Sequence, residues 1–572
     1  MTRVPPRWEH ADIPGGAAAV QLLSDELQLH PVIARLVILR GFSTPEAASR
    51  FLHPSLDQLH DPFLVTDLRI GVDRLLAAIE RGERIAVHGD YDVDGVTSTV
   101  MLRRMLEMLG GDIVHHIPER LTDGYGLQPE GIDRLKSLGV QVVVSVDCGI
   151  RSQAAAERAK AVGIDLIVTD HHEPEARLPP AVAVINPRRH DCPYPDKDLA
   201  GVGVAFKVVQ ALCARTERSH WIPGFLKLAA FGTLADVVPL RGENRVIARL
   251  GLEGMTRGPN TVGLRSLIEV CGLGGRKIGS YEVGFQLAPR INAAGRMSTP
   301  DIATRLLLSV EESASAEAME LAKQLDAENT RRRAEEADIL SQARAVVTND
   351  PDVGAHNILV VAGRGWHRGV IGIVASKLVD QYCRPALVLS IDGDVARGSG
   401  RSISGFNLLG ALDECDDLLA RYGGHRFAAG VELDARHIAA FRQRLVAHAD
   451  RHLGPDDLMP RLGVEAKVSL GDINTSLLEG LNALEPFGAG NRRPVFHADP
   501  VTIVDGPHTM KGQHLRMTVE QDRRRYRAVA WRAADRESYY RAHRDGLNLA
   551  FSLTENTFRG VTTTELNVAD VK

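Results

Sequence analysis

An α/β architecture is what this sequence predicts: a parallel-sheet domain, a long connecting helix, a smaller α/β domain and a C-terminal β-barrel. Three observations carry that reading. From about residue 70 short apolar runs alternate with stretches of helical spacing, as βαβ units require. A second strand, glycine turn and helix follows in "HNILVVAGRGWHRGVIGIVASKLVD". From about Pro460 the chain breaks into short alternating runs separated by turn signals, the pattern of a small barrel.

Taken in order, residues 1–60 form a helical lead-in, where "STPEAASRFLHP" offers Ser43 as an N-cap, Pro45 in the first turn and Pro54 as a stop. Residues 61–309 hold the first α/β domain. "RIAVHGDYD", "DIVHHIP", "VQVVVSVDCG" and "IDLIVTDHHE" are its strands, with "VDRLLAAIERGE", "TSTVMLRRMLEMLG" and "SQAAAERAKAVG" as helices. Residues 310–347 contain neither Gly nor Pro and read as one connecting helix, with Arg331, Arg332 and Arg333 solvated on it. The second α/β domain spans 348–455 and closes with a helix near Ala435 to His452. Residues 456–572 supply the barrel strands "KVSL", "PVTIVDG", "HLRMTVE", "RYRAVAWR", "LNLAFSLTEN" and "TTELNV", of oligonucleotide-binding type.

Composition narrows the function classes. The 572 residues carry 68 Lys and Arg against 73 Asp and Glu, a net charge of −5. Any nucleic-acid partner must therefore meet a local basic surface rather than a basic protein. Only 5% of residues are aromatic, which argues against a reader built throughout on base stacking. The six cysteines form no CxxC pair and read as reduced thiols in cytoplasm. Residues 1–16 show no signal-peptide core, and no run approaches the ~18–20 apolar residues of a membrane span.

The chemistry concentrates at the ends of the apolar strands, where open α/β sheets collect ligands. "VHGDYDVDGVTST" sets Asp90, Asp92 and Asp94 directly after a strand, and Gly95 permits a sharp turn into the next helix. Three carboxylates so close repel one another unless a cation or protons neutralise them. Asp147 ends a second strand, and Asp170, His171 and His172 end a third. Asp236 sits in the apolar stretch "FGTLADVVPL", where a buried aspartate needs a partner. Carboxylates with histidine suit Mn²⁺ and Mg²⁺. Two such ions about 3.5–4 Å apart stabilise both oxygens of an in-line phosphoryl displacement, so the joint reading is phosphodiester or pyrophosphate hydrolysis.

The ordered set "DYDVDG", "SVDCGI", "TDHHEP" and "LADVVPL" resembles the four motifs of the DHH phosphoesterase superfamily. Within it the chain resembles the RecJ single-stranded-DNA-specific exonucleases over nearly its whole length. "RYGGHRFAAG" is similar to the signature of the DHH-associated domain, and "LEPFGAGNRRPVF" to the lead-in of the RecJ oligonucleotide-binding domain. "IPERLTDGYGL", "PRINAAGRMSTP" and "GRSISGFNL" match RecJ in the same way.

The resemblance implies two Mn²⁺ or Mg²⁺ ions held by the first-motif aspartates, Asp147, His171 and Asp236, with His172 beside the substrate phosphate. Which of Asp90, Asp92 and Asp94 bind directly stays open. His88, four residues before Asp92, and Asp170 are read as supporting the ligands rather than touching metal. A pocket for a terminal 5′ phosphate is implied at Arg120, Asn292, Arg296, Ser399 and Arg401, since Arg presents a planar fork to phosphate oxygens. His425 follows two glycines that allow close approach of backbone to substrate. "RRRYRAVAWR" interleaves basic residues with Tyr526 and Trp531, the pairing that strand binding uses. The expected function is a metal-dependent exonuclease of recombination and repair. It would release 5′-mononucleotides from the 5′ end of single-stranded DNA as a cytoplasmic, membrane-free monomer beside a helicase and single-strand-binding protein. The alternative is a phosphodiesterase of short oligonucleotides or cyclic dinucleotides.

Overall fold

The computed structural model of the chain describes residues 5–119, 126–258, 261–558 and 561–572. They form two compact units. The larger comprises Trp8–Gly295, Thr299–Leu325 and Gly463–Lys572; the smaller comprises Arg296–Ser298 and Asp326–Leu462 with the N-terminal residues up to Arg7.

In the larger unit a five-stranded sheet runs in the order Ile113–His116, Ile85–His88, Val142–Val146, Asp165–Thr169, Ala183–Ile185, every neighbour parallel. Strands Ile85–His88 and Val142–Val146 are buried at every position, which is why they read as unbroken apolar runs rather than alternating ones. Alternate residues of one strand feed two separate cores. Val87, Val144 and Ile167 pack with Leu75, Val100 and Phe206, while Ala86, Val143 and Val168 pack with Ile132, Ala155 and Ala159. Parallel pairing sends all the carboxyl ends one way, so the residues after Val146 and Thr169 emerge on the same edge as His88.

The barrel in this unit is closed. Phe496–Met510, His514–Gln521, Arg524–Ala530, Val561–Val571 and Leu547–Phe558 pair in that order, and Phe496–Met510 pairs again with Leu547–Phe558. Bulges between Ile503 and Asp505 and between Asp505 and His508 bend the first strand so that it serves two neighbours. The stretch read as "KVSL" is strand only at Ala466–Lys467; Ser469 and Asp472 then cap a 3₁₀ turn instead. Helices Gly16–Leu27, Pro31–Leu39 and Pro45–Leu52 share the barrel's core, where Leu23, Ile33 and Phe51 join Leu477, Phe496 and Phe551. Thr44, not Ser43, caps the third of these, accepting from Ala47 N at 3.3 Å. Pro45 already occupies the first helical position, so the cap must be the residue before it.

The smaller unit has a five-stranded sheet in the order Arg421–His425, Ala428–Asp434, Val395–Arg401, Ala386–Asp392, Leu359–Arg364. Only the last pair is parallel, and helix Ile371–Tyr382 makes its crossover. One helix spans Ser315–Asn349, and the division between the units falls within it, after Leu325. Arg331 and Arg332 on this helix are not simply solvated. Arg331 donates to Met297 O at 2.8 Å, and Arg332 pairs with Glu336 at 2.8 Å and with Asn329. Among the described residues no helix is long and apolar enough to cross a membrane, and all six cysteines are free thiols.

Candidate metal centre

The first acidic turn is built by helix capping. Asp92 caps helix Val93–Met108, its Oδ1 accepting from Gly95 N at 3.0 Å, and Asn292 Oδ1 accepts from Val93 N at 3.2 Å. A Cβ on Gly95 would stand 2.4 Å from Asp90 O, so the turn requires glycine there. Asp94 lies in the first turn and is buried. Its two oxygens accept from Gly201 N (2.7 Å) and Val202 N (2.8 Å), the first amides of helix Gly201–Arg215. A helix N-terminus stabilises an anion through those otherwise orphaned donors.

Asp147 follows strand Val142–Val146 at φ 59°, a left-handed conformation that Asp tolerates better than most residues. Its Oδ1 is buried and accepts no hydrogen bond among the described residues. That atom lies 3.1 Å from His171 Nε2, which in turn stands 3.8 Å from Asp236 Oδ2 and 3.9 Å from Asp94 Oδ2. Three groups each bring ligand atoms within 4.8 Å of one another: Asp94–His171–Asp236, Asp90–Asp92–Asp147 and Asp147–His171–His172. All seven expected metal and phosphate residues therefore converge.

Asp170 has a different task. Its carboxylate accepts from Ile150 N (2.9 Å), His171 N (2.7 Å), His172 N (3.0 Å) and His172 Nδ1 (2.7 Å), which fixes both histidines. His88 departs from its expected place. It is buried, and its Nδ1 meets His116 Nδ1 on the neighbouring strand at 3.1 Å, with the two rings stacked 5.1 Å apart. Burial, then the facing His116, pushes its pKa down to about 3. His88 thus faces His116 on the neighbouring strand.

The electrostatics call for cations. Burial raises the Asp94 pKa to about 7, with Asp236 as the next cause. Burial and then Asp92 raise Asp236 to about 7. Burial and then Asp94 push Asp147 well above the carboxylate range. Burial lowers the proton affinity of His171, which keeps its ring available as a ligand. For His172 burial acts downward, but the bond to Asp170 prevails and raises it. Hard oxygen ligands with one imidazole, and an orphaned buried oxygen on Asp147, fit Mn²⁺ or Mg²⁺.

Several supports were invisible to motif reading. A Cβ on Gly201 would meet Asp147 Oδ1 at 2.5 Å, and one on Gly232 would meet Asp94 Oδ1 at 2.9 Å. Val237, just after Asp236, is held at φ 62° although β-branched, a strained state that its surroundings must enforce. They do so through the barrel's lead-in. Leu240 N donates to Ala489 O at 2.8 Å, and a Cβ on Gly488 would stand 2.7 Å from Leu240. The glycines in "GVGV", "FGT" and "PFGAG" were the available signal, since isolated glycines mark close approach.

The substrate candidates fall in several places. In the smaller unit Arg401 Nη1 lies 3.1 Å from Ser399 Oγ, and a Cβ on Gly372 would meet that Oγ at 2.9 Å, at the start of helix Ile371–Tyr382. Arg296 donates to Gly369 O at 3.0 Å. His425 is exposed at the end of its strand. Gly424, at φ 146°, is required by its own hairpin, where a Cβ would stand 2.4 Å from Ala428 O; the close approach is to the chain itself. Asn292 is engaged with Val93, as above. On the barrel, Tyr526 is packed against the core and donates to Ile473 O at 3.0 Å, so its ring is a packing element. Trp531 is 55% exposed and donates to Asn567 Oδ1 at 3.1 Å. Arg120 lies outside the described residues.

Comparison with known proteins agrees with this layout. The N-terminal domain of the DHH family matches residues 84–233, the DHHA1 domain residues 355–449 and the RecJ OB domain residues 464–570. The chain is 40% identical to the single-stranded-DNA-specific exonuclease RecJ of Bacillus subtilis, over 88% of this chain and 63% of that relative. It is 34% identical to its counterpart in Escherichia coli, over 82% of this chain and 83% of the relative. The crystal structure of RecJ in complex with Mn²⁺ from Thermus thermophilus superposes with a TM-score of 0.84 at 32% identity, covering 99% of this chain and 80% of that one. A Mg²⁺ complex from the same organism gives 0.79 at 30% identity, covering 99% and 78%.

Proposed function

This chain belongs to the RecJ family of single-stranded-DNA-specific exonucleases, and we propose that it hydrolyses single-stranded DNA from the 5′ end, releasing 5′-mononucleotides. The observation that carries the reading is the convergence of Asp94, His171 and Asp236 beside Asp90, Asp92 and Asp147. These residues would hold two divalent cations, Mn²⁺ or Mg²⁺, which when bound would supply Lewis-acid chemistry for water and the phosphoryl group.

The chain's own residues do the rest. The Gly201 and Val202 amides fix Asp94, and Asp170 fixes His171 and His172. Because His172 Nδ1 is committed to Asp170, its Nε2 is the atom that presents a proton to a phosphate oxygen. Asn292 holds the acidic turn through Val93 N. Arg296, Ser399 and Arg401 receive the terminal phosphate, which gives the reaction its polarity. His425 and Trp531 also contact the strand. The enzyme works as a cytoplasmic monomer in recombination and repair, beside a helicase and single-strand-binding protein; six free cysteines support a reducing compartment.

The test is digestion of one oligonucleotide in Mn²⁺, labelled at either end, with and without a 5′ phosphate. The expected outcome is mononucleotides released from the 5′ end, faster when it is phosphorylated. Activity confined to dinucleotides would replace this reading with that of a small-substrate phosphodiesterase.

A further inference from the structure

We propose that Tyr281 and Phe285 form a stacking platform for a nucleobase of the bound strand, a step that rests on the single-stranded-DNA reading above. The two rings are 62% and 72% exposed, and they stack on each other with centroids 5.1 Å apart at 27°. A solitary exposed apolar side chain is ordinary, but a stacked pair of large rings left in water is not.

The local fold shows why they point outward. They sit four residues apart where the short helix Ser280–Glu282 runs into one turn of π-helix, Val283–Leu287. Spacing of i,i+4 brings the rings together, while Val283 and Leu287 enter the core on the opposite side. Single π-helical turns are frequent at functional sites. The platform is braced from below, since Gly279 N donates to Glu282 Oε2 at 2.9 Å and Ser280 Oγ donates to Phe487 O at 2.6 Å.

Its place matches a nucleic-acid path. Helix Ala288–Met297 continues directly from it. By helical rise Phe285 stands about 10 Å along the axis from Asn292, which holds the acidic turn through Val93 N. Arg276 is exposed in the loop leading to the platform and supplies charge for a phosphate backbone, while Lys277 beside it is paired with Glu485 at 2.8 Å. An aromatic face beside basic side chains takes any base, because each has a π-face and no hydrogen-bond code is read.

The experiment measures affinity for a 5′-phosphorylated oligonucleotide by fluorescence anisotropy in EDTA, with single abasic sites placed successively from the 5′ end. Wild type is expected to lose affinity at one abasic position. Phe285→Ala should bind the intact oligonucleotide about tenfold more weakly and lose nothing further at that position, whereas Phe285→Trp should restore wild-type behaviour. An unchanged melting temperature in both variants shows that the exposed position leaves the fold intact. Phe285→Ala binding like wild type, or an abasic penalty equal in both, overturns the platform while the exonuclease reading stands. Wild type that fails to bind single-stranded DNA at all overturns both.

Discussion

The acidic turn Asp90–Asp94 and the basic strand Arg524–Ala530 are alike in sequence, each a run of like charge, and the fold treats them in opposite ways. On the strand two of the three arginines are answered by acids: Arg525 pairs with Glu520, and Arg527 with Glu565 at 3.1 Å. Its Tyr526 is half-buried against the core. In the metal centre the aspartates are gathered with further aspartates, and the groups facing them are backbone amides and a histidine of lowered proton affinity. A charge run marks a site where the fold withholds its counter-ions, because only there does binding a ligand relieve stored repulsion.

The sharpest way to break that contrast is Asp147→Asn. Hydrolysis is expected to fall by at least about 10³-fold, since a residue shared between the Asp90–Asp92 group and the His171–His172 group is lost. Metal-free, the same variant should melt at a higher temperature than wild type at neutral pH, because the amide spares the folded state the cost of holding a buried carboxyl protonated where the unfolded chain ionises it. The pH dependence follows with its sign. Asp94 and Asp236, raised from 3.8 to about 7, hold protons in the folded state that the unfolded chain has released. Metal-free stability is therefore highest near pH 4, falls as pH rises toward 7 and stays low above it, and Mn²⁺ restores it there. A metal-free melting temperature that is flat from pH 4 to 8 would erase the contrast.

Asp170→Asn tests the supporting layer. It leaves the cation ligands in place but weakens the bond that orients His172, so activity should fall about 10- to 100-fold. Because Asp170 raises the His172 pKa, the pH–rate profile should shift to lower pH in the variant. An unchanged profile would mean His172 is not held through this bond.

The smallest effects come from the barrel. Trp531→Ala should weaken single-strand binding about fivefold with little change in melting temperature, as an exposed ring contributes by stacking. Tyr526→Ala should do the reverse, lowering the melting temperature by several degrees through a cavity while affinity holds. Anisotropy and thermal melting on the two variants read this directly; equal losses of affinity would put both rings on the binding face.

Much of this was legible in the chain. Buried parallel strands need unbroken apolar runs, so "VQVVVSVDCG" and "IDLIVTDHHE" announced both the sheet and the edge on which Asp147 and Asp170 emerge. The acids and histidines of the centre carry their identity in their side chains, and their order along the chain was enough to group them. What tertiary structure alone decided has another character. The Gly201 and Val202 amides that clamp Asp94 belong to every residue type alike, so no letter marks them. The bracing of the loop after Asp236 by Ala489, the docking of the first three helices on the barrel and the packing of Tyr526 against the core join residues far apart in sequence. The family resemblance set His88 among the supports of the acidic turn, and strand pairing brings its ring against His116. Sequence determined which chemistry the chain can perform, because that resides in side chains. The fold decided which charges go unanswered, because that depends on partners brought together only by packing.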